Sequence, residues 1–255
     1  MVARYDERKG LIYILVNTRE HYVLSSGFHF GEFVGSLKKP LTNLLLLKHK
    51  YGDSQYHHKT RLEYVLKNQV KVLTKRDLHK SEEFCWIDFD DVYNLDTIEP
   101  DELAQLLYLG HMKEHLTPPF FQNINNRFVY LTECDGLLNK VYYRYWSDFY
   151  DVLGGILTLK VNEMKFDSLI GFRKKRVLVP VERKILHHLN SALTEGIVFS
   201  LHHSHTRGDI RIPFRVVGDF NDMDEMLEQY KSKSKQRPDG EIVFDRKKKE
   251  WYLQN

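Results

Sequence analysis

Short apolar runs separated by polar turns recur along most of the chain. Runs of about four to eight apolar or alternating residues that end in turn residues are typical of β-strands. The pattern predicts strands at 11–16, 21–25, 44–48, 61–66, 84–89, 127–133, 138–145, 197–205, 210–217, 241–245 and 250–253. We therefore expect strands joined by short turns to dominate, with helices between the hairpins.

Helical spacing of apolar residues is found in the segments between these strands. Helices are predicted at 100–108, 147–157, 181–192 and 221–230. Pro100 suits the first position of the first of these helices, and Gly110 is expected to end it. Ser147 is expected to cap the second helix. Gly154 inside that helix should cost about 1 kcal/mol unless the packing needs a close approach there.

Hairpins, rather than helices, connect most of the predicted strands. The Asp-Gly turn at 135–136 is a strong hairpin signal. Strands joined by short turns pair antiparallel, whereas a doubly wound parallel sheet needs a helix between each pair. The sequence therefore predicts an α+β fold, mainly an antiparallel sheet built from hairpins with interspersed helices. The prolines at 118–119 favour an N-terminal region at 1–118 and a C-terminal region at 119–255, or one continuous domain.

Composition and the pattern of charge narrow the class of protein. The chain has 255 residues, 42% of them hydrophobic, which is enough for one large domain or two small ones. The N-terminus is polar, and no apolar run approaches the roughly 20 residues of a membrane span. The two cysteines, Cys85 and Cys134, are too few for a disulfide framework or a zinc knuckle. We expect a cytoplasmic protein without membrane association, and the usage of Lys, Asn and Tyr favours a bacterial origin.

The most suggestive chemistry is a histidine cluster at 202–205. Alternate side chains on a strand share a face, so the predicted strand 197–205 would place His203 and His205 side by side. Two imidazoles at that spacing suit one divalent metal ion, completed by a carboxylate from elsewhere. The alternative is that the strand simply becomes polar as it leaves the core.

A second candidate site is acidic. Asp88 and Asp90 share a face at the end of the predicted strand 84–89. Two carboxylates at a strand end suit Mg²⁺ or Mn²⁺, and they would also complete a site with the histidines. The alternative is that they are turn and cap residues, which are common after a buried strand.

Basic residues are concentrated in the C-terminal third, where Lys and Arg outnumber Asp and Glu from 171 to 255. On one face they would attract the phosphates of a nucleic acid. The candidates for this surface are Arg173, Lys174, Lys175, Arg176, Arg211, Arg215, Lys247 and Lys248. The alternative is that these charges solvate exposed turns.

Three classes of function stay open, because the sequence contains no Gly-rich phosphate loop, nucleophile elbow, HExxH or kinase signature. The first is a non-enzymatic binding protein, with nucleic acid or another protein as its partner, and the basic third favours it. The second is a metal-dependent hydrolase using His203 and His205. The third is a structural subunit, including a homo-oligomer. The adjacent histidines at 57–58 and 187–188 are expected to be surface or partly buried residues.

Overall fold

The computed structural model of the chain describes residues 8–48, 51–75, 83–133, 136–166, 178–202, 204 and 209–254. Its strands are β1 (Leu11–Asn17), β2 (Tyr22–Ser26), β3 (Asn43–Lys48), β4 (Gln55–Tyr56), β5 (Glu63–Leu66), β6 (Cys85–Phe89), β7 (Phe128–Glu133), β8 (Leu138–Tyr143), β9 (Ile197–Ser200), β10 (Ile210–Val216), β11 (Gly240–Asp245) and β12 (Glu250–Gln254). Its helices are α1 (Phe30–Ser36), α2 (Lys67–Leu73), α3 (Pro100–Met112), α4 (Trp146–Phe166), α5 (Arg183–His187), α6 (Asn190–Glu195) and α7 (Met223–Lys233), with a 3₁₀ helix at Val92–Thr97.

The predicted α+β class, with a mainly antiparallel sheet built from hairpins, is confirmed. β7 pairs antiparallel with β8, β9 with β10, and β11 with both β10 and β12. All of these partners are consecutive strands; short turns join β7 to β8 and β11 to β12, whereas α7 lies between β10 and β11. Among the helices in the described ranges, α4 is the longest at 21 residues, and none is long and apolar enough to cross a bilayer.

The chain forms two compact units. The terminal unit comprises Met1–Val16, Ser25–Phe28 and Ser147–Asn255, and the central unit comprises Asn17–Leu24 and His29–Trp146. In the terminal unit the strand order is β12, β11, β10, β9, β1, and in the central unit it is β2, β8, β7, β6, β3, β5, β4. The expected regions 1–118 and 119–255 stay a prediction.

One face of the central unit's sheet packs against α3. The buried side chains between them form a single group, here called the central apolar cluster. Its members are Leu45, Leu62, Tyr64, Cys85, Ile87, Phe89, Leu95, Ile98, Leu106, Leu109, Phe121, Ile124, Val129, Leu131 and Tyr142. Because the cluster takes residues from the sheet, from α3 and from the 3₁₀ helix, it fixes these elements relative to one another.

The opposite face of the same sheet is aromatic and packs against α1. Phe30 of α1 meets Trp86 and Tyr130 edge-on, with ring centroids 4.8 and 5.0 Å away. Trp86 and Tyr130 are register partners in β6 and β7, so their rings point to the same side of the sheet. The neighbouring Ile87 and Val129 point the other way, into the central apolar cluster. Edge-on ring pairs of this kind contribute about 0.5–1.5 kcal/mol beyond the area they bury.

The sequence predicts that α3 ends at Gly110, but the helix does not end there. The helix continues to Met112, and its C-cap is Lys113 in the left-handed conformation, with φ of 58°. A Cβ atom at Gly110 would lie 2.8 Å from the Cβ of Leu47. Glycine therefore allows the helix to approach the chain at the end of β3, which is a packing role and not a terminating one.

The other predicted helices also have different bounds. α4 begins at Trp146 and ends at Phe166, so Ser147 lies inside it and is not its cap. Asp222, and not its neighbour at 221, caps α7, because its carboxylate accepts the N–H groups of Asp224 and Glu225 at 2.7 and 3.2 Å. The predicted helix 181–192 is divided into the short helices α5 and α6.

Gly154 lies where α4 meets the segment before α5. A Cβ atom there would be 2.2 Å from the backbone oxygen of Val181, and a backbone atom cannot move aside cheaply. We expect Gly154→Ala to lower the free energy of unfolding by about 1–3 kcal/mol in urea denaturation. Gly35 within α1 has nothing within 4 Å of the same position, so Gly35→Ala should be neutral or stabilise by up to about 1 kcal/mol. Equal effects of the two substitutions would contradict this account.

Glu83 connects the end of β3 to the end of α3. Its carboxylate lies 2.7 Å from the Lys48 ammonium and 2.8 Å from that of Lys113. The hydrogen bonds from Lys113 and Lys48 lower the pKa of Glu83 from 4.5 to about 2. A carboxylate whose pKa is lower in the folded state contributes stability above its unfolded pKa and loses it as the pH falls through the folded pKa.

We therefore expect Glu83→Gln to lower the free energy of unfolding by about 1 kcal/mol at neutral pH, a value kept small because the pair is partly solvated. The difference from the unmodified protein should shrink as the pH falls from 4.5 towards 2. Denaturation curves across this range provide the measurement. Glu114→Gln changes an exposed residue nearby and should show no such trend.

Candidate metal centre

His203 and His205 lie outside the described residues, so the predicted pair stays a prediction. The strand that was expected to carry them ends at Ser200 instead of residue 205. The chain turns after that point, because the Ser204 N–H donates to the Leu201 carbonyl at 3.2 Å. The N–H of Arg211 then donates to the carbonyl of Ser204 at 2.8 Å.

Asp88 is a buried structural residue in β6. Its Oδ1 accepts the backbone N–H groups of Arg127 and Phe128 at 2.8 and 2.9 Å, and its Oδ2 accepts Arg127 Nε at 3.0 Å. Burial raises the pKa of Asp88, although the hydrogen bonds from Phe128 and Arg127 oppose that shift. Both oxygens therefore have protein partners that tie β6 to the start of β7.

Asp90, the other predicted acidic ligand, is exposed and follows β6. Its carboxylate accepts the side-chain amide of Asn125 at 2.6 Å. Each of the two acidic residues thus has a hydrogen-bond donor of its own, as expected of turn and strand-end carboxylates.

The basic candidates of the C-terminal third have several different environments. Residues 173–176 lie outside the described ranges. Arg215 is buried, and its guanidinium donates to the carbonyls of Arg237 at 2.9 Å and Ser234 at 3.3 Å, and also to that of Gln236. These contacts hold the segment that follows α7, so the guanidinium of Arg215 is engaged within the fold.

Arg211 lies on the same strand but is half-buried. Its guanidinium donates to the Glu241 carboxylate at 2.7 Å. A surface cavity of about 180 Å³ is lined by Arg211, Arg237 and Glu241 among others. The charge of Arg211 is thus partly neutralised by the neighbouring strand.

Lys247 and Lys248 form part of the exposed turn between β11 and β12. Their N–H groups donate to the Asp245 carboxylate at 2.7 and 3.0 Å. This turn and the segment at 234–237 lie at opposite ends of β11, a separation of about 17 Å. Arg215, which contacts the segment at 234–237, therefore lies apart from Lys247 and Lys248 along β11.

The described part of the chain contains one group of three histidine, cysteine or acidic residues whose ligand atoms converge. His57, His58 and Asp96 each offer one such atom, and all of these atoms lie within 4.8 Å of one another. The two histidines begin the turn after β4, and Asp96 belongs to the 3₁₀ helix. We call these three residues the His-His-Asp cluster.

The turn that carries the histidines is closed by backbone hydrogen bonds. The His57 N–H donates to the Leu62 carbonyl at 2.9 Å, and the Arg61 N–H donates to the His57 carbonyl at 2.9 Å. Arg61 adopts the left-handed conformation, with φ of 60°, which reverses the chain towards β5. Leu62 then enters the central apolar cluster.

The segment that carries Asp96 is anchored in the same cluster. The 3₁₀ helix is capped by Asp91, whose carboxylate accepts the Tyr93 N–H at 3.0 Å. Leu95 is fully buried and belongs to the central apolar cluster, as Leu62 does. Two segments that are distant in sequence are therefore held beside each other by shared apolar packing.

The distances within the His-His-Asp cluster suit a transition metal. The Nε2 atoms of His57 and His58 lie 3.4 and 3.7 Å from Asp96 Oδ1. Tetrahedral zinc with bonds of about 2.0–2.1 Å separates its ligand atoms by about 3.3 Å. The two separations from Asp96 are thus close to the spacing that one ion requires, and all three ligand atoms lie within 4.8 Å of one another.

Contacts of Thr60 with the Nδ1 atom fix the orientation of the His57 ring. The His57 side chain is only 4% exposed, and its Nδ1 lies 3.0 Å from Thr60 Oγ1 and 3.3 Å from the Thr60 nitrogen. Burial lowers the pKa of His57; the positive charges of His58 and Lys59 act in the same direction and Asp96 opposes them. A metal ion binds a neutral imidazole whose other ring N–H is donated outward. Because the Thr60 N–H donates to Nδ1, the ring would have to take its other tautomer, with Nδ1 donating to the Thr60 hydroxyl, to bind an ion through Nε2.

The other two members of the cluster are open to solvent. The side chain of His58 is 81% exposed and that of Asp96 is 43% exposed. A metal ion held by these three side chains would keep a coordination position for water or a ligand, as catalytic zinc sites do.

The sequence predicts only that the histidines at 57–58 are surface or partly buried residues, and it does not connect them with Asp96. Spacing along the chain carries no signal for this contact, because the turn and the 3₁₀ helix are far apart in sequence and are brought together by the fold. The burial of Leu62 and Leu95 in the same cluster would have been needed to find it.

Comparison with protein-family models, with curated proteins and with solved structures finds no match to this chain. The functional interpretation therefore depends on the geometry of the His-His-Asp cluster.

The contacts of Asp88 lead to a test of its structural role. We expect Asp88→Ala to lower the free energy of unfolding by about 3 kcal/mol, because it leaves buried N–H groups and the Arg127 charge without their acceptor. Asp90→Ala, at an exposed position two residues away, should cost less than about 1 kcal/mol. Both measurements are made by urea denaturation in the presence of a chelator, so that metal binding does not contribute. A small effect at Asp88 would contradict the structural interpretation.

Proposed function

We propose that this protein binds a divalent transition metal, with zinc as the best-fitting ion, through His57 Nε2, His58 Nε2 and Asp96 Oδ1. The observation that carries this proposal is the convergence of these three ligand atoms within 4.8 Å. Two imidazoles and one carboxylate are a mixed nitrogen and oxygen set, which suits zinc better than Mg²⁺ or Ca²⁺, since those ions prefer oxygen ligands alone.

The reaction class that best fits such a centre is hydrolysis. Three protein ligands leave room for a water molecule, and zinc lowers the pKa of a bound water to about 7. The exposure of His58 and Asp96 supports access of a substrate to that position. This is the metal-dependent function that the sequence suggested, now proposed at a different set of residues.

Metal binding is also expected to stabilise the central unit. The ion would connect the turn after β4 to the 3₁₀ helix, and a ligand that binds only the folded state stabilises it by mass action. The gain is about 2.7 kcal/mol when the free ion is at 100 times its dissociation constant.

Calorimetry of the chelator-treated chain with zinc tests the proposal. We expect one ion to bind per chain, and His58→Ala and Asp96→Asn to weaken binding at least 10-fold, since each removes a ligand. These residues are more exposed than His57, so their replacement should leave the fold intact, which circular dichroism checks. The double variant His203→Ala/His205→Ala is the matched control and should bind zinc as tightly as the unmodified protein. Loss of binding in that variant alone would transfer the site to the pair predicted from sequence.

Association with nucleic acid through the basic C-terminal third, interaction with a protein partner, a role as a structural subunit and a cytoplasmic location all stay predictions. Arg215 and Arg211 both donate hydrogen bonds within the fold. Their contacts therefore do not favour any of these predictions over the metal centre.

A further inference from the structure

We propose that the open position of the metal centre takes a phosphate group, and that Lys59 and Arg61 of the same turn supply its further contacts. This inference rests on the proposed metal site and names the class of ligand that the site would take. Its experiment separates the two ideas, because zinc binding and phosphate binding are measured independently.

The charge around the His-His-Asp cluster favours an anion. Asp96 is the one carboxylate among the three ligands, so it neutralises only half the charge of a divalent ion. Lys59 and Arg61 add two cations within the turn that begins at His57, and both are exposed. A metal ion together with neighbouring cations attracts and polarises anionic ligands.

Lys59 lies next to the metal ligands and not merely near them in sequence. Its ammonium donates a hydrogen bond to the backbone carbonyl of Asp96. The same group is close enough to His57 for its charge to lower the pKa of that imidazole. An ammonium group has three donors, so one bond to a carbonyl leaves others for a ligand oxygen.

Arg61 is positioned by the backbone that closes the turn. Its backbone N–H donates to the His57 carbonyl at 2.9 Å, which fixes the Arg61 backbone next to that of the first metal ligand. The guanidinium is exposed, and we assign it to the phosphate on its charge. A tetrahedral phosphate could place one oxygen on the metal and others towards the ammonium and the guanidinium, the pairing that these cations favour. A carboxylate has only two oxygens and cannot engage all three groups equally well.

The test uses the full chain loaded with one equivalent of zinc and no excess. Inorganic phosphate is titrated by calorimetry, with sodium acetate as the comparison anion. We expect phosphate to bind at least 10-fold more tightly than acetate, and we expect the metal-free chain to bind neither. Equal phosphate binding with and without zinc, or no phosphate binding to the zinc-loaded protein, would overturn the phosphate inference. The proposed metal site would stand in either case. Failure of zinc to bind would instead reject the proposed function.

A matched pair of lysine substitutions tests the role of the turn. Lys59→Ala should weaken phosphate binding about 5- to 10-fold while zinc binds as tightly as before or more tightly, because a positive charge beside the ion is removed. Lys71→Ala changes an exposed lysine on α2 and should alter neither affinity. An unchanged phosphate affinity in Lys59→Ala would contradict the assignment of this residue.

The source of the phosphate is distinguished by three ligands offered to the zinc-loaded chain. These are inorganic phosphate, a nucleoside 5′-monophosphate and a short single-stranded oligodeoxynucleotide. Tightest binding of the first or second identifies a free phosphate or a monoester. Tightest binding of the third identifies the backbone of a nucleic acid, and this binding should be weakened in Lys59→Ala by about the same 5- to 10-fold. Failure of all three to bind overturns the proposal.

Discussion

The burial of Leu62 and Leu95 in one apolar cluster is the constraint on which the candidate metal centre depends. Leu62 ends the turn that begins with His57, and Leu95 immediately precedes Asp96. Burying one leucine side chain contributes about 1.5–3 kcal/mol, which exceeds the value of any exposed ion pair between the imidazoles and the carboxylate. The ligands are therefore brought together by packing beneath them, and their own mutual attraction is a minor contribution.

The features that sequence predicted well are those set by local periodicity. Ile87 and Val129 point into the central apolar cluster while Trp86 and Tyr130 point to α1, and period-two alternation alone predicts such a division. The β7–β8 pairing was predicted from the Asp-Gly sequence at 135–136, whose first residue lies outside the described ranges. Antiparallel pairing of neighbouring strands therefore depends on short stretches of sequence. It can be predicted from the residues of those stretches without knowledge of distant partners.

The features that sequence did not predict depend on partners that are distant along the chain. Gly110 was assigned to a helix end, but its conformation is helical and its role is to admit Leu47. Asp88 was a candidate ligand, and its oxygens are taken by Arg127 and Phe128. A charged residue is rarely buried without a partner. The sequence around it does not show whether that partner is another part of the fold or a bound ion.

Thr60 explains how one arrangement of the His-His-Asp cluster serves with and without a metal. Without an ion, Nδ1 of His57 accepts from Thr60 and the protonated Nε2 faces Asp96. An ion on Nε2 would require the ring proton to sit on Nδ1, where it would be donated to the Thr60 hydroxyl, which can accept as readily as it donates. The two states would then differ by the position of that proton and by the loss of the hydrogen bond from the Thr60 N–H to Nδ1. The turn is therefore organised before the ion arrives, so little conformational entropy remains to be lost when the ion binds.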